Sequence, residues 1–531
     1  MRIVAILGIA LAAVTLSLDA ASGAEARAAR EGGTFRIAVP AGFFDAIDPA
    51  LVDFVPEFVA LRPACATLMS HPDKPPPAGL RVAPELAEAR PVVARDGRTY
   101  SFTIRKNARF SDGATVTARA FAREIERVLD PAMKVPGASE LAAIIVGGQD
   151  VLAGKTSSPT GVLARGRKLT LRLTKRVPNL PESWINFLCA VPPNLPADSE
   201  GAKAALPSPA PYYVAQYVPG ERLVLERNRF YKGNRPHHVS RLVADLGADE
   251  DSIINEIASG KVDWGFVTNQ VWAARTDELR RRYGVNKSRF FVKPSDFLRM
   301  FVLNTSRPLF QNNVKLRQAV NFAVDRRGLT RELGPLAGTP TDQYLRYRNE
   351  DIYPLAGPDL RAARRLAKGR TRGGKAVLYT RSSPEDVAQG RVLQQNLAAI
   401  GIKLEIETFP GLLIFDKLAK GGKDFDIGRI GFGIEDPSFL NVAFHGRTVG
   451  KPDNFNYSYF NSPKYNRLLD RAARLTGPAR YRAYGKLDVQ ISRDAAPAIP
   501  VAFQNTTTFV SARVGCIVLN PFIDLTAVCL K

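Results

Sequence analysis

Apolar and polar residues alternate over residues 34–39, with Phe35, Ile37 and Val39 on one side of an extended chain. Gly32-Gly33 before and Pro40 after bound a first predicted β-strand. Tyr100, Phe102 and Ile104 share one face, and Ser101, Thr103 and Arg105 the other. Asp96-Gly97 and Asp112-Gly113 are turn signals, so this segment predicts a half-buried antiparallel strand. Thr117 then stands where a helix cap belongs, ahead of Phe121, Ile125, Val128 and Leu129 at helical spacing, and Asp130-Pro131 stops the run. Residues 169–173 and 222–226 alternate as further strands, giving this half an α+β character.

The texture changes near Arg289. Residues 298–303 form an unbroken apolar run apart from Arg299, predicting a buried strand that ends at Asn304. Leu316, Ala319, Val320, Ala323 and Val324 trace one helical face expected to end before Gly328. Residues 376–379, 385–400 and 402–406 predict strand, helix and strand, with Gly401 at the helix end; such a unit makes a parallel, right-handed crossover. Proline-rich stretches at 74–77 and 192–211 predict surface loops.

The chain has 531 residues, about three domains at ~150 residues each. Its 45% hydrophobic and 24% charged content is ordinary for a globular protein, and no apolar run past the N-terminus approaches the ~20 residues of a membrane span. Arg2, an apolar stretch over 3–18 and the small residues Ser22-Gly23-Ala24 predict a secretory signal over 1–24, cut after Ala24. No Cys precedes Cys65, so the lipid-attachment cysteine of a lipoprotein is missing, and no twin arginine precedes the apolar stretch. An exported protein is expected.

Export makes disulfides the expected state of Cys65, Cys189, Cys516 and Cys529, which allow three connectivities. Cys516–Cys529 with Cys65–Cys189 is favoured; four buried thiols are the alternative. The formal charge of +23 raises the question of nucleic acid. Arg280-Arg281-Arg282 and residues 361–375 are the densest basic runs, but no binding motif accompanies them, so solvated faces are expected and no nucleic-acid partner.

Catalytic signatures are missing. Gly148 to Thr156 ends like a phosphate-binding loop, but its first glycine is one position too far and Gln149 stands in its place. Gly431-Phe432-Gly433 begins a GxG that has no third glycine, and Glu435-Asp436 would repel a pyrophosphate. No GxSxG, HExxH or SxxK occurs. His71, His237, His238 and His445 lack metal-ligand spacing, and nothing aligns Asp45 with Asp48, or Asp424 with Asp426, as an acid/base pair. No enzyme activity, cofactor or metal is expected.

Several segments together resemble solute-binding family 5 of bacterial ABC importers, the oligopeptide- and dipeptide-binding group. They are the opening 32–39 with Asp48-Pro49; the stretch from Pro84 through Asp96-Gly97, Asn107-Ala108-Arg109-Phe110 and Ser111-Asp112-Gly113 to Pro131; the hairpin around Tyr217 to Asn228; Ser259-Gly260-Lys261-Val262-Asp263; and Asn304 to Arg327. The resemblance implies an α/β, two-lobed periplasmic-binding-protein fold (class II, type C) with an α+β subdomain. Lobe I would hold 31–64, 166–288 and 498–531, the subdomain 65–165, and lobe II 289–497, with crossings near Arg289 and 497–500. It further implies a monomeric periplasmic receptor that captures a peptide-like or small polar solute and delivers it to an inner-membrane permease. The alternatives are an exported hydrolase or transferase, or a chaperone-like surface protein.

Family members that hold free peptides present an Asp to the ligand ammonium inside a W-x-x-D-x-x-D-P stretch. Here that stretch is residues 430–437, with Ile430 at the Trp position and Gly433 at the Asp position. The candidate ligand residues are Phe43, Phe44, Arg299 on the inter-lobe strand, Phe432, Glu435 and Asp436, the last two as replacements for the missing carboxylate. Asp436 as a mere turn cap before Pro437 is the competing reading.

Overall fold

The computed structural model describes residues 31–531 apart from 53–54, 76–77, 136, 335, 337, 347–349, 412, 421, 435, 451–453 and 521. The expected signal segment, 1–24, and Glu435 lie outside the described residues. No helix among the described residues is long and apolar enough to cross a membrane.

Three sheets organise the chain. The first has five strands in the order Trp264–Gly265, Thr34–Pro40, Arg241–Ala248, Arg222–Arg227 and Tyr212–Val218. Thr34–Pro40 runs parallel to both neighbours, and the remaining pairs are antiparallel. Phe35, Ile37 and Val39 enter one core as the alternation predicts, while Ala38 meets Ile253, Ile254 and Ile257 on the other side.

The second sheet, in the order Val92–Val93, Thr99–Thr103, Lys168–Arg172 and Val162–Arg165, is covered by the helix Ala118–Leu129. Tyr100 and Phe102 are buried against Phe121 and Ile125, and Gly97 and Gly113 take positive φ in the expected turns. Lys168–Arg172 lies beyond the expected subdomain limit at 165, because it forms a hairpin with Val162–Arg165 that pairing does not divide. Thr117 occupies the N-cap position, but its side chain makes no capping hydrogen bond.

The third sheet has six strands: Gly338–Pro340, Ala498–Phe509, Phe290–Leu303, Ile427–Gly433, Lys375–Arg381 and Lys403–Phe409. Lys375–Arg381 and Lys403–Phe409 are parallel, joined through the helix Pro384–Ala398 as the sequence pattern predicts. Residues 298–303 read as one apolar run because both faces are covered: Leu298, Met300 and Val302 pack in one core, Phe301 and Leu303 in another. Gly328 does not follow a single helix; it sits in a second one, Arg326–Arg331, where its N–H is capped by Asp325.

The long strands Phe290–Leu303 and Ala498–Phe509 pair antiparallel and carry the chain between lobes. Phe290 and Phe509 pack in a first-lobe core with Ala38, whereas Phe301, Ile499 and Val501 pack in the second lobe. The passage therefore takes the length of a strand rather than a point at 498. The pairing is irregular between Pro294 and Leu298. Beyond Phe509, Val510, Leu525 and Leu530 join Phe35 and Leu242 in the first core.

Both disulfides are present, Cys65–Cys189 and Cys516–Cys529, with Cα separations of 5.2 and 4.8 Å. Near the first, buried Arg235 pairs with Asp73 at 2.9 Å and Glu85 at 3.2 Å, and Arg62 pairs with Asp73 at 3.0 Å. Asp524 from the C-terminal segment hydrogen-bonds to Asp73. Asp48 is no acid/base partner for Asp45: it is buried and paired with Arg127 at 2.5 Å, which also holds Glu124 at 2.9 Å.

Candidate functional site

A cleft of about 300 Å³ lies against the two crossing strands. One strand contributes Ser295, Phe297 and Arg299, the other residues 504–508. The first lobe adds Phe43, the segment from Trp264 to Asn269, and Trp272 on the helix Asn269–Tyr283; the second adds Leu333 and Gly334. Walls from both lobes over a shared floor are the geometry that lobe closure can tighten on a solute. A hollow of about 110 Å³ beside Cys65–Cys189, with Phe58 and Phe187 at its edge, draws no residue from the second lobe.

Arg299 is the charged centre of the cleft floor. It is 7% exposed, its Nε donates to Gln504 Oε1 at 2.7 Å, and its guanidinium sits 4.8 Å from the Phe297 ring centroid. Burial pushes its pKa down to about 9, helped by Arg429 and Arg381 and opposed by Asp386 and Glu385. Those neighbours are already engaged: Asp386 pairs with Arg429 at 2.8 Å and Arg381 at 2.6 Å, and Gln389 accepts from Arg429. No carboxylate among the described residues lies within ion-pair distance of Arg299.

Glycine makes room for this group. A Cβ at Gly431 would stand 2.4 Å from the Phe297 ring and 3.2 Å from the Arg299 side chain. The Gly431-Phe432-Gly433 segment is thus the strand facing Phe297 and Arg299, not a phosphate loop. Gly433, opposite Phe297, has nothing within 4 Å of where its Cβ would be. A second chain of bonds fixes the floor: Gln504 Nε2 donates to Asn269 Oδ1 at 3.1 Å, and Asn269 Nδ2 donates to Glu385 at 3.3 Å.

The sequence-level candidates separate. Phe43 and Arg299 line the cleft together. Phe44 turns away into the first core, 6.0 Å from Tyr217. Phe432 stacks on Tyr457 and tilts against Phe439, packing on a second-lobe core rather than lining the cleft. Asp436 accepts from Ser438 N at 2.8 Å and pairs with Arg480 at 2.5 Å, so it caps a turn and neutralises a buried cation. Trp264, Asn269, Trp272, Phe297 and Gln504 are not among those candidates. One signal was available: the chain has three tryptophans, and two line the cleft. Among the described residues no group of His, Cys, Asp and Glu is placed to hold a metal ion.

Residues 81–451 match the family model described as bacterial extracellular solute-binding proteins, family 5 Middle. The periplasmic oligopeptide-binding protein of Escherichia coli K12 is 24% identical over 498 residues, covering 88% of this chain and 87% of that protein. A protein of the same organism named as a probable deoxycholate-binding periplasmic protein is 23% identical over 464 residues, covering 82% of each chain. Among solved structures, the clavulanic acid biosynthesis oligopeptide binding protein 2 superposes with a TM-score of 0.84 at 25% identity, covering 94% of this chain and 96% of that one.

Proposed function

Since the chain belongs to family 5 of the bacterial extracellular solute-binding proteins and is a solute-binding receptor, we propose that it holds a peptide-like or other small polar solute in the cleft on its crossing strands. It works in the periplasm as a monomer and hands the solute to the permease of an ABC importer. The carrying observation is that one cleft draws Phe43, Trp264 and Trp272 from one lobe, and Leu333 and Gly334 from the other, over the floor made by the crossing strands. A solute touching both walls binds the closed state better than the open one, and that difference in affinity is what shifts the equilibrium.

Relatives are named for oligopeptides and for deoxycholate, so membership alone leaves the solute's chemistry open. The family and these relatives are binding proteins, and the cleft of this chain binds without transforming. Mass spectrometry of protein purified without denaturation tests the reading. An intact small molecule in near-stoichiometric amount is expected, with a smaller radius of gyration when it is bound. Cleavage products of an added peptide library would favour the hydrolase instead.

A further inference from the structure

The cleft is lopsided in charge. Arg299 is the one charged side chain among the described residues that line it, and no Asp or Glu is among them. An enclosed ammonium would find no carboxylate among these described residues. Gly433 stands where the resemblance places the ammonium-binding Asp, with open space beyond it.

Arg299 is also held in a built setting. Its Nε is committed to Gln504, which Asn269 holds in turn. One face of the guanidinium rests on Phe297, and Gly431 leaves room for both. Its two terminal nitrogens make no hydrogen bond to a described residue, leaving the fork that matches a carboxylate or phosphate edge free. A buried guanidinium with no ion-pair partner among the described residues is unfavourable, and the solute is the most economical source of one.

Resting on the receptor reading above, we infer that the solute is a small organic anion: the terminal nitrogens of Arg299 receive its oxyanion, and its ring or hydrocarbon body lies against Phe43, Trp272 and Phe297. A free ammonium is not needed for binding. The oxyanion can be a carboxylate or a phosphate, which present the same edge to the fork.

Calorimetry on the mature protein, stripped of solute by unfolding and refolding, tests this with three probes: N-acetyl-phenylalanyl-glycine, phenyl phosphate and the cationic phenylalanyl-glycinamide. At least one anion is expected to bind ten or more times tighter than the amide, and the two anions distinguish carboxylate from phosphate. Arg299→Gln should weaken that anion roughly 30-fold or more, with Arg299→Lys falling between. Circular dichroism and melting temperature check that each variant is folded. Equal or tighter binding of the amide, anion binding that survives Arg299→Gln, or no probe bound at millimolar concentration overturns the assignment. Recovery of an intact co-purified solute in that case leaves the receptor reading standing; its absence removes both.

Discussion

Asn269, the first residue of a first-lobe helix, donates its side-chain amide to Glu385 in the first turn of the second-lobe helix Pro384–Ala398, at 3.3 Å. The same Asn269 accepts from Gln504, which holds Arg299. A contact between lobes thus connects to the cleft floor through two hydrogen bonds. Opening the lobes must break the Asn269–Glu385 bond, whose worth is about 1 kcal/mol. Glu385→Ala is expected to enlarge the solute-free protein in solution scattering and to weaken solute binding several-fold, through a smaller closed population. Unchanged scattering and affinity would show that the contact does not govern closure.

Asp436→Ala should damage stability rather than recognition. Arg480 is buried, and removing its partner leaves an uncompensated charge at a cost of about 3 kcal/mol. The melting temperature should fall by several degrees, while affinity for the co-purified solute changes less than threefold. A tenfold loss of affinity in folded protein would place Asp436 in the site after all.

The two disulfides should contribute unequally. Cys65 and Cys189 are 124 residues apart, Cys516 and Cys529 only 13. Loop-closure entropy assigns roughly 3 kcal/mol to the short loop and more than 4 kcal/mol to the long one. Paired Cys→Ser variants, melted in urea, should rank in that order. The reverse order would mean that the unfolded chain is already compact around Cys65.

A pH prediction concerns Asp524. Burial, with Asp73 beside it, pushes its carboxyl up to about 7. A carboxyl whose folded pKa is raised contributes stability that is complete below its unfolded value near 4 and lost as pH rises through 7. Asp524→Asn imitates the protonated form, so relative to wild type it should gain at least about 1 kcal/mol between pH 5 and pH 8. Denaturant titrations at both pH values check this, and parallel curves would contradict it.

Local pattern was the readable part of this chain. The strand Thr99–Thr103 and the helix Ala118–Leu129 announce themselves because each buries a face whose period lies within a few residues. The cleft did not, since Trp264, Arg299 and Gln504 meet only through pairings more than 200 residues apart in the case of Arg299 and Gln504. Phe43 and Phe44 mark the limit well: neighbours in sequence, one lines the cleft and the other enters the core, and no periodicity surrounds them to say which. Asp436 was more legible, because an Asp two residues before a Ser within a Pro-containing turn is a local cap.

The docking of Val510, Leu525 and Leu530 against Phe35 and Leu242 also bears on how the molecule is made. The first sheet's strand Thr34–Pro40 pairs with partners some 200 residues later, and its core closes only when the last residues of the chain arrive. Five strands of the six-stranded sheet, by contrast, come from the continuous stretch 290–433. The half begun first is thus finished last, its parts waiting on long-range encounters that are slow to form. Until those encounters are made, Phe35, Ile37 and Leu242 lack that cover, and exposed apolar surface of this kind makes a partly folded chain prone to aggregation.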